Sequence, residues 1–403
     1  MGPVGPPRVA EPIAITGAGV VTPIGQDLDA FWAGLVTGAS GVSEIERFPV
    51  GDLRVTRGGE VKKLPRWPQP DAPPACRVSR FLIHAAGEAL AQAGLAADRP
   101  EPARIAVVVG TALGGIDDAE RAVRGQGGLR GLLGALYDGP TWNLARWLQA
   151  EGPVLTISTA CASGATSLGV AADLLRAGRA DVAVAGGADI LCRFVQRGFN
   201  VLRSLTRDEV RPFDRRRSGI LLGEGAALLV LERPAAAAAR GVRSPLGFLL
   251  GHGSVADGAH ITAPDPEGRG LALAIRAALD EAGLEPAAID FVSAHGTGTP
   301  ANDRVETEVL KRVLGARARE VPVNSIKAHL GHTMGAAATL EALMCLLAAR
   351  HGQVPPTLNY GEPDPRCDLD CVPNEARRHR SRVSLSTSLG FGGCNAALVL
   401  AAP

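Results

Sequence analysis

Aromatic residues make up only 4% of this 403-residue chain, and lysine occurs at just four positions, Lys62, Lys63, Lys311 and Lys327. Arginine supplies the rest of the positive charge. With 50 glycines and abundant alanine, that usage reflects a GC-rich coding bias more than a function. An excess of either charge is also missing. Lys plus Arg number 42 and Asp plus Glu 41, a formal net charge of +1, which leaves no general field to attract nucleic acid or an anionic membrane. No apolar run approaches the roughly 20 residues of a bilayer crossing, and residues 1–12 lack the basic and apolar regions of a signal peptide. The seven cysteines, Cys76, Cys161, Cys192, Cys345, Cys367, Cys371 and Cys394, are odd in number and dispersed, which argues against a disulfide framework. Cys367 and Cys371 are close in sequence but have no second pair at zinc spacing. These absences predict a cytoplasmic protein with reduced thiols, no metal, and neither nucleic acid nor membrane as partner.

What is present is 46% hydrophobic residues, enough for a sizeable core. Apolar β-type runs alternate with helical patterns, which predicts an α/β architecture. Strands are expected at Ile13–Gly17, where a glycine turn ends the run, and at Ile105–Gly110, Val154–Ser158, Asp181–Gly187 and Gly225–Leu231. A helix is expected over Arg77–Ala93, stopped by Gly94. After the alanine run Ala235–Ala239 a second α/β series begins. Its helices fall near Arg269–Ala282, Ala301–Leu314 and Met334–Ala349, and strands close it around Gly392-Gly393. Residues 1–12 read as a flexible N-terminus, 13–244 as one half and 245–403 as another. In each half a β-run leads into a helix crowded with small residues, from Cys161 in one and from Met334 in the other.

Cys161 stands in Thr159-Ala160-Cys161-Ala162-Ser163-Gly164, between a β-run and a helix. Backbone N–H groups at a helix start favour negative charge, so the position predicts a thiol lowered from its usual value of roughly 8.5 and available as a nucleophile. Two further β-runs lead into glycine-rich segments. One is Ser293-Ala294-His295-Gly296-Thr297-Gly298-Thr299-Pro300, and the other Asn324-Ser325-Ile326-Lys327-Ala328-His329-Leu330-Gly331-His332. A fourth segment is Leu389-Gly390-Phe391-Gly392-Gly393-Cys394-Asn395.

In the order and spacing of these four segments the chain resembles the β-ketoacyl-[acyl-carrier-protein] synthases of the ketoacyl synthase II type, condensing enzymes of the thiolase superfamily. The resemblance runs from about Ile13 to Leu400. It implies a duplicated thiolase fold with five layers, α/β/α/β/α, and a decarboxylative Claisen condensation. An acyl group held on Cys161 would meet malonyl-acyl-carrier-protein to give a β-ketoacyl product, in fatty acid or in specialised polyketide or polyene synthesis. By the same resemblance His295 and His332 complete a Cys-His-His triad, Lys327 is the site lysine and Glu341 its acidic partner. Phe391 contributes to the oxyanion hole and gates the acyl tunnel, while Thr297, Thr299 and Thr262 line the path of a phosphopantetheine arm. No cofactor is implied beyond that arm. The chemistry fits these residue types: neutral imidazoles present N–H donors to an enolate oxygen, and fixed donors stabilise developing oxyanions.

The implied partners are an acyl carrier protein and a second thiolase-fold subunit. Arg203 and Arg207, or Lys62, Lys63 and Arg66, are candidate docking positions for an acidic carrier. The apolar strand Asp181–Gly187 suits a homodimer. Two alternatives stay open: the active subunit of a heterodimer with a chain-length-factor homologue, and a thiolase-type acyltransferase that does not use malonyl. Leu389, Ala338 and Cys394 depart from the residues usual in this family, which leaves the acyl substrate open.

Overall fold

The computed structural model describes residues 9–65, 76–97, 99–126 and 128–403. Ten strands make one hydrogen-bonded sheet: β1 (Ile13–Val21), β2 (Ile105–Gly110), β3 (Val154–Ile157), β4 (Val182–Asp189), β5 (Gly225–Glu232), β6 (Gly247–Ala256), β7 (Phe291–Ser293), β8 (Val323–Asn324), β9 (Val383–Gly390) and β10 (Cys394–Ala401). Their spatial order is β8-β7-β9-β10-β6-β1-β5-β4-β2-β3. Outward from the β6–β1 seam, the two series run β1-β5-β4-β2-β3 and β6-β10-β9-β7-β8. Pairing sense repeats as well: two antiparallel contacts are followed by two parallel ones on each side. At the seam, Ile13–Ile15 pair antiparallel with Gly247–Leu249. The chain is therefore a structural duplication.

The principal helices are α1 (Arg77–Gln92), α2 (Ser163–Arg176), α3 (Arg269–Ala282), α4 (Pro300–Leu314) and α5 (Ala337–His351). Helices α2 and α5 pack together, and each touches strands of both series, so they fill the centre. Helix α1 covers β1 and β5 on one outer side; α3 covers β6 and β10 on the other, with α4 beside it. This is the five-layer α/β/α/β/α arrangement. Strand periodicity produces it, since successive side chains point to opposite faces. Ala106 and Val108 of β2 enter the central core, while Val107 and Val109 enter the outer one. Ala396 and Leu398 of β10 face the centre, and Ala397 and Val399 the opposite outer layer. Helix α5 is buried from Ala337 through Ala348, as a helix apolar on all sides must be.

Gly17 does not end the first strand as its position in the sequence suggested. It lies within β1, where a Cβ would meet the Ala89 carbonyl of α1 at 2.1 Å; the glycine admits a close helix instead of a turn. Of residues 1–12, those from Val9 onward are described. Ala10 N–H donates to the Glu281 carbonyl (2.9 Å) and Glu11 O accepts from Arg176 Nε (2.8 Å); the rest of the segment read as flexible, residues 1–8, lies outside the described residues. The strand invoked for dimerisation, Asp181–Gly187, lies inside the sheet between β5 and β2; the outermost strand of its half is β3.

Candidate active site

The chain leaves β3, turns at Ala160 and enters α2 through Cys161. Ala160 adopts a left-handed φ of 49°, a conformation that strains a residue with a Cβ and persists only where its surroundings enforce it. Ser163 does so here: its Oγ accepts from Thr159 N–H (2.9 Å) and donates to the Ala160 carbonyl (2.6 Å). The other half repeats the device, with Met334 at φ 53° and Gly335 where Cys161 stands.

Cys161 Sγ lies 2.9 Å from His332 Nε2. The His295 ring meets the His332 ring edge-on, with centroids 5.3 Å apart. Lys327 Nζ pairs with the Glu341 carboxylate, both almost fully buried. Burial, followed by the Lys327 charge, holds both imidazoles well below their usual 6.5, and His332 adds to the effect on His295. Each ring is thus neutral at physiological pH and carries one N–H. Cys161 overturns the expectation of a lowered thiol. Burial pushes it up to about 12; Lys327 and the Phe391 N–H pull the other way, while Asp189 and Glu341 push it further up. Desolvation of the charged form is the largest cause of the shift. A thiol against a neutral imidazole can still react, because the proton can pass to nitrogen as sulfur attacks.

These groups open on a cavity of about 270 Å³ lined by Cys161, His295, His332, Thr262, Thr297, Thr299, Phe199, Leu389, Phe391 and Asn395, among others. A roomier recess beside Trp147, about 390 Å³, contains none of the motif residues. The chemistry belongs to the smaller one.

Sequence comparison agrees. The profile of the β-ketoacyl synthase N-terminal domain matches residues 10–237 and that of its C-terminal domain residues 246–361. The chain belongs to the β-ketoacyl synthase family. It is 40% identical to the tetracenomycin polyketide synthase ketoacyl synthase alpha subunit of Streptomyces glaucescens, over 97% of each chain. It is 36% identical to 3-oxoacyl-[acyl-carrier-protein] synthase 2 of Synechocystis sp. (strain ATCC 27184 / PCC 6803 / Kazusa), over 96% of this chain and 97% of the other. Among solved structures, the ishigamide ketosynthase/chain length factor superposes with a TM-score of 0.90 at 37% identity, covering 98% of this chain and 100% of that one. A type II polyketide synthase acyl-carrier protein in complex with its ketosynthase, bound to the hexaketide, gives 0.89 at 30%, with the same coverage. The protein is a ketosynthase condensing enzyme.

Most of the sequence-derived residues of this ketosynthase converge. Cys161, His295, His332, Phe391, Thr262, Thr297 and Thr299 share the cavity, and Lys327 and Glu341 lie behind it. The Thr297 and Thr299 hydroxyls are 3.0 Å apart. Arg203 is exposed between cavity residues Leu202 and Ser204, and Arg207 is exposed nearby in sequence. Lys62 and Lys63 do not line the cavity, and Lys62 is held by Glu46 and Glu60. Arg66 lies outside the described residues. Among the described residues, no helix is long and apolar enough to cross a membrane.

The roles of other residues at and around the site were not legible in the sequence. Phe199 stacks on Phe391 at 5.5 Å, nearly parallel. Glu306 of α4 accepts from His295 N–H (2.7 Å), Gly296 N–H (2.8 Å) and Thr387 Oγ1 (2.7 Å), bracing the loop that carries the histidine. His260 Nδ1 accepts from Thr262 and Ala263 N–H, and Gly392 N–H donates to Ile261 O, so His260 shapes the loop against which the Phe391 turn rests. His329 is structural, its ring between the carbonyls of Ala39 and Pro356. An alternation or a motif identifies a strand or a turn; it does not say which distant side chain will stack on it.

Proposed function

We propose that the synthase condenses a Cys161-bound acyl chain with malonyl-acyl-carrier-protein, in the cytoplasm and without a cofactor. The carrying observation is the 2.9 Å approach of Cys161 Sγ to His332 Nε2 beside a second neutral histidine. In the first half-reaction the thiol proton passes to His332 while sulfur attacks the acyl thioester. The S–acyl bond forms at Cys161, the bond to the pantetheine sulfur breaks, and that sulfur takes the proton. In the second, malonyl thioester loses CO₂, and the enolate oxygen is held by the N–H groups of His295 and His332. The enolate carbon attacks the Cys161 thioester, and backbone N–H groups of Cys161 and Phe391 hold the oxyanion. Collapse breaks the C–S bond, releasing Cys161 as a thiolate that takes a proton from water to restore the thiol. Thr262, Thr297 and Thr299 line the arm's route. Their convergence in one cavity supports this reading.

Intact-protein mass spectrometry with acyl- and malonyl-carrier proteins tests it. Cys161→Ala should lose acylation, and an acyl adduct persisting on that variant would refute the assignment. His295→Ala should keep acylation and lose malonyl-derived CO₂ by about 10²–10³-fold. His332→Ala should lose both, since its ring also serves the thiol.

The proposed partners are an acidic carrier protein, docking near Arg203 and Arg207, and a second thiolase-fold subunit. Among the described residues the outer strand β3 pairs only with β2, and Leu155 on it is exposed, as are Leu136, Tyr137 and Trp142 earlier in the chain, where Tyr137 Oη donates to Ser158 Oγ just past the strand (2.6 Å). Such an apolar edge is unsuited to water. A second copy is the occupant we favour; a chain-length-factor homologue is the alternative, and a solved relative is described as a ketosynthase/chain length factor.

A further inference from the structure

We propose that Asp189 is a positioning residue of the condensing site: its carboxylate ties the turn that follows His332 to the Thr111–Gly114 loop, and so holds His332 on the Cys161 sulfur. The inference rests on the condensing-site reading above. Asp189 ends β4 and is completely buried. Its Oδ1 accepts from Thr111 Oγ1 (2.7 Å) and Leu113 N–H (3.0 Å). Oδ2 accepts from Ala112 N–H (2.8 Å) and Gly335 N–H (2.6 Å). Four donors on one carboxylate is a full complement, and hydrogen bonds to an ionised acceptor are the strong ones.

Each donor belongs to a segment that needs holding. Gly335 follows Met334, whose left-handed φ of 53° requires an anchor, and lies three residues after His332. No side chain fits at Gly335: a Cβ would stand 2.6 Å from Asp189 Oδ2 and 2.7 Å from Thr111 Cα. The neighbouring loop is equally constrained, since Thr111 Oγ1 accepts from Gly114 N–H (2.9 Å) and Thr111 N–H donates to Ile157 O (3.0 Å). A Cβ at Gly110 would run into the backbone of Ser163, the first residue of α2. Asp189 thus joins the loop packed on the nucleophile helix to the turn behind the histidine. It has no hydrogen bond to Cys161 or His332, and acts on them through the backbone and through its charge. That charge raises the Cys161 thiol, while the carboxyl itself is pushed up to about 6 by burial, against the pull of its four donors.

Two variants separate bonds from charge. Asp189→Asn turns one acceptor into a donor facing N–H groups and removes the charge. Its kcat should fall on the order of 10²-fold, as small misplacements at reacting groups do, while KM for malonyl-carrier protein changes little because the cavity mouth is untouched. The pH profile of Cys161 alkylation should move to lower pH. Thr111→Val removes one of the four bonds to Asp189, along with the bonds the hydroxyl accepts from Gly114 and Leu113 N–H within the same loop. It keeps the charge, so kcat should fall several-fold with the alkylation profile unmoved. Wild-type kcat in either folded variant overturns the proposal, and so does an Asn variant that loses kcat but keeps the wild-type alkylation profile. If the Asn variant does not fold, Thr111→Val decides by the same criterion. Failure of the wild-type enzyme to acylate Cys161 at all would instead overturn the condensing reading on which this rests.

Discussion

Cys161 combines a reactive position with an unfavourable environment. The turn at Ala160 aims its sulfur into the cavity and onto His332, yet burial raises the thiol to about 12. Resting enzyme should therefore hold a protonated thiol. Alkylation by iodoacetamide is expected to keep accelerating above pH 9, and a plateau below pH 8 would show a stabilised thiolate instead. At Lys327 the opposite problem is solved by pairing. Glu341 is raised to about 7 by burial, against the pull of the Lys327 charge. Lys327→Ala leaves that carboxyl alone in the core, a change that costs about 3–5 kcal/mol when the charge cannot be relieved. The unpaired Glu341 would be protonated in the folded state well above the pH at which it ionises in the unfolded chain, so the variant binds the extra proton when folded. Its deficit against wild type should deepen from pH 5 to pH 8, measurable as the gap between melting temperatures.

Between elements, the far end of α2 is fastened to the second half by a charged cluster. His252 of β6 places Nδ1 at 3.1 Å from Glu281 of α3 and Nε2 at 3.6 Å from Asp173 of α2. Arg176 of α2 pairs with both carboxylates. Burial disfavours the charged ring and Arg176 repels it, but the hydrogen bond and charges of Glu281 and Asp173 prevail and raise His252 above its usual 6.5. A raised histidine stabilises the fold fully below its unfolded value near 6.5, and that contribution is lost as pH rises through the folded value. His252→Gln should consequently melt below wild type at pH 6, with the gap closing at alkaline pH. A gap that is constant across this range would exclude protonation as its source. Elements themselves were largely legible: β2 and α3 fall where their apolar runs and end signals lie. Asp181 to Gly187 was off by a residue or two, as ends usually are. Gly17 misled because a glycine that admits a neighbouring helix looks the same as one that makes a turn.

For the whole molecule, the duplicated sheet leaves β3 as an open edge with exposed apolar neighbours. Sedimentation should give a stable dimer, with an interface on the order of 2,000–5,000 Å² as obligate pairs bury. Leu155→Glu or Trp142→Glu should dissociate or aggregate it, and an active species near 41.5 kDa would exclude an obligate dimer. Insolubility relieved by co-expressing a homologue would favour the heterodimer.

Local chemistry was determined by sequence alone. Turns that need glycine, strands that need alternation and segments that carry Cys161, His295, Lys327 and His332 each depend on residues adjacent in the chain, and such signals survive without a fold. Tertiary structure decided what depends on distance across the chain. The Cys161–His332 contact spans residues far apart in sequence, Phe199 finds Phe391, and Asp189 collects donors from two remote segments. It also decided the direction of the thiol's shift. A helix start is a local feature legible in the chain, but desolvation is set by everything packed around the sulfur, and at Cys161 it is the largest cause of the upward shift.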